Sequence, residues 1–196
     1  HNYASQLLGW GLTLEGVREV EEELTAGAYI ITDNGGNQIN GFCPAAMNFS
    51  CGYTFPASLG PNDMAIVGAG NMADMYELPL RYKEAQVPYI FDPGQQIPAL
   101  PRETLLSSIT GSRLLICNDY EIELICDALN CDKDYLLKLT DGIITTLGEQ
   151  GCLIEENGCE PVHIPAVPVA KAVEPTGCGD AFRAGLVFGL IQGQDL

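Results

Sequence analysis

The chain has 196 residues, of which 46% are hydrophobic and 18% are charged, and its formal net charge is −17. This length and apolar content predict one globular domain with a substantial core, and they exclude an intrinsically disordered protein. The negative charge, without any cluster of Lys or Arg, argues against nucleic acid or an anionic membrane as a partner.

The first third of the chain is predicted to contain helical segments and a hairpin. Residues 1–8 are compatible with a helix that ends at Gly9-Trp10-Gly11, and the glutamate content of residues 14–24 would allow a second helix. Residues 33–37, Asp-Asn-Gly-Gly-Asn, separate the apolar runs 29–31 and 38–39. Because Asn-Gly tolerates the positive φ of tight turns, we expect a β-hairpin there.

From residue 64 onward, apolar strands are predicted to alternate with helices. The predicted strands are 64–68, 88–91, 114–117 and 142–146, and the predicted helices are 72–86, about 119–128 and 132–139. This alternation implies a parallel sheet covered on both faces, with ligands bound beyond the carboxyl ends of the strands. The polar residues that follow the strands are therefore candidate site residues: Asp92, Asn118, Glu121 and Thr146.

The eight cysteines form no C-x-x-C pair, and only His1 and His163 could complete a zinc site. Several of them, such as Cys117, lie in apolar runs, where a free cysteine behaves as a small hydrophobic residue. We therefore expect a protein of the reducing cytoplasm without a structural metal. This pattern disfavours a redox or metal protein.

The most informative motif is residues 174–185, Glu-Pro-Thr-Gly-Cys-Gly-Asp-Ala-Phe-Arg-Ala-Gly. Two glycines separated by one residue precede the apolar run 181–191, which predicts a tight loop opening a helix. The exposed backbone N–H groups and the helix dipole make such a loop an anion site. Asp180 would compete with a bound phosphate unless it removes a proton from the attacking group. The simpler alternative is a glycine-containing helix N-terminus in which Asp180 interacts with the helix dipole.

This motif resembles the signature of the ribokinase-like, phosphofructokinase-B family of sugar and nucleoside kinases, D-(T/P)-T-G-A-G-D-x-F-x-x-G. The resemblance implies that Gly177, Cys178 and Gly179 supply backbone donors to the transferring phosphoryl group. It also implies that Asp180 is the general base toward the substrate hydroxyl, and that Thr176 lies at the nucleotide. The chain departs mildly from the family pattern, with Glu174 where many members have Asp and Cys178 where many have Ala.

Two motifs after the second and third strands match the same family. Residues 92–96, Asp-Pro-Gly-Gln-Gln, resemble its bacterial adenosine-kinase-like branch, which implies a position for Asp92 on the phosphate and substrate side. Asn118 and Glu121 match the motif N-x-x-E, which implies that Glu121 organises Mg²⁺ and that Asn118 lies at the phosphates. The local alternatives are a polar turn and a helix cap, respectively.

Two further positions complete the predicted site. Residues 145–151 contain the form T-L-G-x-x-G, which starts at Thr146, and the resemblance implies that Thr146 and Gly148 approach ATP. The local alternative is a glycine turn. Arg183 lies three residues after Asp180 on one helix face, where it could hold that carboxylate or a phosphate on the substrate side, or form an exposed ion pair.

The resemblance covers nearly the whole chain and implies an α/β fold, a ribokinase-like parallel-sheet three-layer sandwich with a small β lid. Residues 1–196 would form a single, incomplete kinase domain, and about residues 17–45 would contribute to the lid. In the family, residues 11–14 form a turn that leads through a strand to 25–31. We also expect an internal fragment that lacks the first strand, with its acceptor-binding Asp, and the residues that close over adenine.

The implied activity is ATP-dependent phosphoryl transfer to a hydroxymethyl group of a nucleoside or sugar, adenosine kinase-like in the first place. The alternatives are a ribokinase- or fructokinase-like sugar kinase and, in another class, a non-catalytic nucleotide- or sugar-binding module. The implied cofactors are ATP and Mg²⁺. The resemblance also allows a monovalent cation such as K⁺ and a homodimer formed through the lid.

Overall fold

The computed structural model describes residues 3–33, 38–56, 58–170 and 176–196. The helices are α1 Tyr3–Gly9, α2 Met72–Glu84, α3 Arg102–Ile109, α4 Asp119–Leu129, α5 Lys133–Leu137 and α6 Cys178–Ile191. The strands are β1 Gly27–Thr32, β2 Gln38–Cys43, β3 Ala65–Val67, β4 Tyr89–Phe91, β5 Leu114–Asn118, β6 Gly142–Thr146, β7 Cys152–Glu156 and β8 Val162–Ile164. Short 3-10 helices span Ala45–Asn48, Gly94–Ala99 and Gly148–Gln150.

The central sheet has the strand order β3-β4-β5-β6-β7-β8. Strands β3 to β6 are parallel, as predicted, and β7 and β8 extend the sheet as antiparallel strands. Strands β6 and β7 are antiparallel because only a tight turn joins them. Gly151 ends that turn at φ +95°, and a Cβ there would lie 2.0 Å from the carbonyl oxygen of Ile164.

Alternate residues of the strands face opposite sides of the sheet, which produces three layers. One side packs Phe91, Leu115 and Ile143 against α2 to α5. The other side packs Ile90, Leu114, Ile116 and Ile144 against Phe182, Leu186, Val187 and Leu190 of α6. This arrangement confirms the α/β sandwich, and it brings the N-terminus of α6 to the carboxyl ends of the parallel strands.

Strands β1 and β2 form the predicted antiparallel hairpin, with Gly27 opposite Cys43 and Thr32 opposite Gln38. Most of its predicted turn, residues 34–37, lies outside the described residues. Tyr29 and Ile31 are exposed. A role of the hairpin as a lid stays a prediction.

The helix that composition allowed for residues 14–24 does not form, and the structure shows only turns, bends and irregular backbone there. The glutamates of this run would repel one another on a helix. Arg18 instead donates a hydrogen bond to the carbonyl of Ser50 at 2.6 Å and lies over the Phe49 ring. The sequence analysis also missed α3, the strand β8 and the 3-10 helices at 45–48 and 94–99.

All eight cysteines are free. Within the described ranges, no cluster of three or more His, Cys, Asp or Glu side chains is placed to hold a metal ion. None of the helices in these ranges has the length and apolar character required to cross a lipid bilayer.

Candidate active site

A cleft of about 860 Å³ lies where the parallel strands end and α6 begins. Gly68 and Ala69 follow β3 along its wall, and Asp92 follows β4. Asn118 and Thr146 end β5 and β6 and are register partners, so their side chains enter the cleft from adjacent strands. The other wall is the stretch from Thr176 to Arg183, which includes the first turn of α6.

The glycine turn that opens α6 contributes its backbone to the lining of this cleft. Gly177 is the N-cap of the 14-residue helix at φ +84°, a left-handed conformation that favours glycine, and its carbonyl accepts the N–H of Ala181 at 3.0 Å. Gly177 and Gly179 both line the cleft, and no atom lies within 4 Å of a Cβ built on Gly179. The open backbone and the helix dipole together suit an anion.

Arg183 connects two carboxylates across the cleft. Its Nη1 donates to Oδ2 of Asp92, and its Nη2 donates to Oδ1 of Asp180. The Asp92 side chain is 8% exposed, whereas the Asp180 side chain is 77% exposed. Burial raises the pKa of Asp92, although the hydrogen bond and charge of Arg183 oppose that shift. Burial lowers the pKa of Arg183, but the two carboxylates outweigh it and raise that pKa overall, so the guanidinium stays charged.

Glu121 lies at the N-terminus of α4, beside the end of β5. Asn118 is the N-cap of this helix, and the two residues form a capping box. Burial raises the pKa of Glu121, the hydrogen bond from the Asn118 N–H lowers it, and the charge of Asp92 raises it further. This half-buried carboxylate is therefore a place where a cation would be stabilised.

The structure brings all but two of the predicted site residues into this one cleft. The residues that line it are Asp92, Asn118, Glu121, Thr146, Thr176, Gly177, Gly179, Asp180 and Arg183. The two exceptions are Cys178, whose exposed side chain does not line the cleft, and Gly148 at the turn after β6. These placements fit the predicted roles, which themselves stay predictions.

Sequence reasoning missed several other lining residues. Gly68 and Ala69 follow β3, and the strand-end rule would have found them, but their lack of polar side chains gave no chemical signal. Cys117 was interpreted as a small hydrophobic residue of a buried strand and Phe182 only as part of the apolar run 181–191, and both also line the cleft. Gln95 lies in the 92–96 motif, where the analysis singled out Asp92.

Comparison with known proteins gives a consistent result. The model of the pfkB family of carbohydrate kinases matches residues 1–196. A nucleoside kinase of Methanocaldococcus jannaschii is 32% identical over 90% of this chain and 57% of its own length. The structure of Burkholderia thailandensis nucleoside kinase in complex with inosine is similar, with 34% identity, a TM-score of 0.87, and coverage of 98% of this chain and 64% of that chain.

A second structure of the Burkholderia enzyme, in complex with ADP-inosine, is also 34% identical, with a TM-score of 0.82. It covers 96% of this chain and 58% of that chain. The chain therefore spans less than two thirds of the length of each of these proteins.

Proposed function

Because the chain belongs to the pfkB family of carbohydrate kinases, we propose that the protein transfers the γ-phosphoryl group of ATP to the hydroxymethyl group of a nucleoside. The observation that carries this proposal is the position of Asp180. Its carboxylate shares one cleft with the Gly177–Gly179 backbone, at the end of a parallel sheet. A base beside an anion site is the arrangement that phosphoryl transfer to an alcohol requires.

In the proposed reaction, Asp180 accepts the proton of the acceptor hydroxyl as that oxygen attacks phosphorus. The N–H groups of the glycine turn donate to the phosphoryl oxygens, where negative charge is concentrated in the transition state. Both groups lie at the start of α6, so the helix sets the position of the Asp180 backbone relative to these donors. The contribution of the protein is then positioning and electrostatic stabilisation.

Mg²⁺ fits the cleft, and Glu121 would hold it. Mg²⁺ keeps several water ligands and needs only one or two carboxylates from the protein, which a single half-buried glutamate satisfies. When bound, the ion would neutralise charge on the phosphate oxygens. Glu121 also accepts a backbone N–H through Oε2, which fixes the direction of its carboxylate.

The charge of the cleft supports this requirement for a cation. The side chains of Asp92, Glu121 and Asp180 face one arginine, Arg183, among the described lining residues. A polyphosphate alone would be repelled by this excess of carboxylates and by the net charge of −17. We therefore expect ATP to bind as its magnesium complex, near Asn118, Thr146, Thr176 and Gly148.

A nucleoside is the proposed acceptor because the compared relatives in two organisms are nucleoside kinases. Both are at least 32% identical to this chain, and one was solved with inosine. A ribokinase- or fructokinase-like specificity is the alternative that the sequence leaves open. The dependence on K⁺, the homodimer through the hairpin and the cytoplasmic location stay predictions of the sequence.

A phosphoryl-transfer screen of the natural full-length protein tests the proposal. Magnesium-ATP is supplied with adenosine, inosine, ribose, fructose or a fructose phosphate, with and without K⁺, and the phosphorylated product is measured directly. Transfer to a nucleoside with the highest kcat/KM supports the proposal. A higher kcat/KM for a free sugar would identify the sugar as the acceptor in place of a nucleoside. ATP binding without transfer to any acceptor would favour a non-catalytic module.

A further inference from the structure

We propose that Asp92 acts in the reaction through Arg183, as the buried anchor of a chain of contacts that orients Asp180. This inference rests on the proposed function, because it assumes that Asp180 accepts the proton. The sequence suggested only that Asp92 lies on the phosphate and substrate side and that Arg183 holds a carboxylate or a phosphate. The structure shows one guanidinium bonded to two carboxylates that lie in very different environments.

Asp92 has the properties of a fixed anchor. It directly follows β4, whose three residues are fully buried between β3 and β5. Its backbone N–H donates to the carbonyl of Val67 at 2.9 Å, which ties it to the neighbouring strand β3. Its side chain is almost completely buried, and Oδ2 is committed to Arg183. A carboxylate held in this way has little freedom to follow a mobile substrate.

Asp180 is the exposed end of this chain of contacts. Its side chain is 77% exposed, and Arg183 is its one ion-pair partner among the described residues. Helix α6, which carries it, has no fully buried residue in the described ranges. Without the contact to Arg183, the carboxylate would sample several rotamers, because a change of rotamer costs an exposed side chain little free energy.

The contact also determines which oxygen of Asp180 can act as the base. Arg183 occupies Oδ1. The other oxygen, Oδ2, lies on the side of the glycine turn, 4.0 Å from the position that a Cβ on Gly177 would take. This oxygen, for which the described residues supply no hydrogen-bond donor, therefore lies beside the backbone that is proposed to hold the phosphoryl group, which is where an attacking hydroxyl must be deprotonated.

The charges in the cleft favour the same interpretation. The charge of Asp180 raises the pKa of Asp92, and Arg183 lowers it. Arg183 therefore screens two carboxylates that would otherwise repel each other, and neither of them alone satisfies its planar group of donors. In Asp92→Asn the amide oxygen could still accept an N–H of Arg183, but this bond would lose the charge of the carboxylate and weaken, so Arg183 and the exposed Asp180 would both become more mobile.

The test compares Asp92→Asn, Arg183→Met and their double variant in the natural full-length protein. Each single change should lower kcat by on the order of 10- to 100-fold, as misplacement of a reacting group does, while KM for ATP changes less than about threefold. The double variant should be no slower than the slower single variant, because both changes break the same chain of contacts between Asp92, Arg183 and Asp180. Added guanidinium ion should partly restore kcat in Arg183→Met and fail to do so in the double variant.

The matched control is Arg113→Met. Arg113 also faces two carboxylates, Asp141 at 3.7 Å and Glu156 at 3.8 Å, but outside the cleft. Its replacement should leave kcat unchanged. If Asp92→Asn does not fold, Arg183→Lys tests the same link, because lysine keeps the charge but cannot bond two carboxylates through a planar fork. This variant should also lose kcat.

Three outcomes would overturn the inference. A rise in KM for ATP at constant kcat in the Arg183 variants would make Arg183 a phosphate ligand. Additive losses in the double variant would make the two residues independent. The third outcome is a set of Arg183 side-chain N–H signals in NMR spectra that exchange with water no faster in Asp92→Asn than in the wild type. Because these signals are recorded without substrate, they decide the inference even if the wild-type protein transfers no phosphoryl group, a result that would by itself reject the proposed function.

Discussion

Asn118 and Glu121 bond each other in both directions. Asn118 Oδ1 accepts the N–H of Glu121 at 2.7 Å, and Glu121 Oε2 accepts the N–H of Asn118 at 2.9 Å. The two residues proposed to meet magnesium and phosphate therefore also start α4. A helix cap and a ligand site coexist here because a carboxylate has two oxygens, and the cap uses only one. Experiments on these residues must separate the two roles.

The first prediction concerns the proposed base. Asp180→Asn should lower kcat by at least about 10²-fold with little change in ATP affinity, because loss of a general base removes stabilisation of the transition state and leaves ground-state binding intact. Steady-state kinetics and a nucleotide-binding titration provide the measurement. Asp127→Asn, an exposed change outside the cleft, is the control. Retained turnover in Asp180→Asn would reject the assignment.

The second prediction is that Glu121→Gln weakens Mg²⁺ binding while it keeps the cap of α4 intact. Glutamine can still accept the Asn118 N–H, so the cap survives, whereas the charge that would hold Mg²⁺ is lost. The Mg²⁺ concentration for half-maximal rate should rise several-fold. An unchanged Mg²⁺ dependence would transfer the role to a neighbouring acid. Glu123→Gln, on the exposed face of the same helix, is the control.

The same variant should show a defined pH dependence of stability. Burial raises the pKa of Glu121 in the folded protein, so the native state binds this proton more tightly than the unfolded state does. The free energy of unfolding of the wild type therefore falls as pH rises from the ordinary glutamate pKa through the raised one. Glu121→Gln should be at least as stable at neutral pH, and its advantage should vanish in acid. Thermal unfolding at several pH values measures this difference, and a lower Tm of the variant at neutral pH would contradict it.

The third prediction separates the cap from the site at Asn118. Serine is an equally good N-cap, so Asn118→Ser should keep the unfolding free energy, whereas Asn118→Ala should lose about 1 kcal/mol. If the amide contacts the phosphates, both variants should show a similarly raised KM for magnesium-ATP. Chemical denaturation and kinetics on the same two proteins provide the comparison. Normal kinetics in Asn118→Ser would show that Asn118 serves only as a helix cap.

The fourth prediction concerns the glycine turn. Gly177→Ala should cost on the order of 1–2 kcal/mol of stability, because φ is +84° and L-residues are strained in that region. It should also reduce kcat, because the backbone donors would move. Gly185→Ala is the control on the same helix: no atom lies within 4 Å of its added Cβ, and alanine is the better helix former there. An unchanged Tm in Gly177→Ala would show that the turn relaxes.

Much of the fold could be predicted because the core strands are continuous apolar runs. The strands predicted at 88–91, 114–117 and 142–146 correspond closely to β4, β5 and β6, since a fully buried parallel strand leaves no polar face in the sequence. The helix at 14–24 could not be rejected by composition, because contacts of Arg18 with Phe49 and Ser50 determine that segment. The same limit applies to β8, whose short exposed segment has no pattern of its own.

The sequence by itself determined the sheet, the glycine turn and the identity of the polar residues at the strand ends, because all of these depend on local patterns of burial and backbone freedom. It could not determine which of these residues touch. Asp92 and Arg183 are 91 positions apart, and only the packing of α6 against the sheet brings the buried carboxylate, the guanidinium and Asp180 together. Local sequence patterns reflect interactions between residues that are near in the chain, whereas this contact depends on how distant segments pack together.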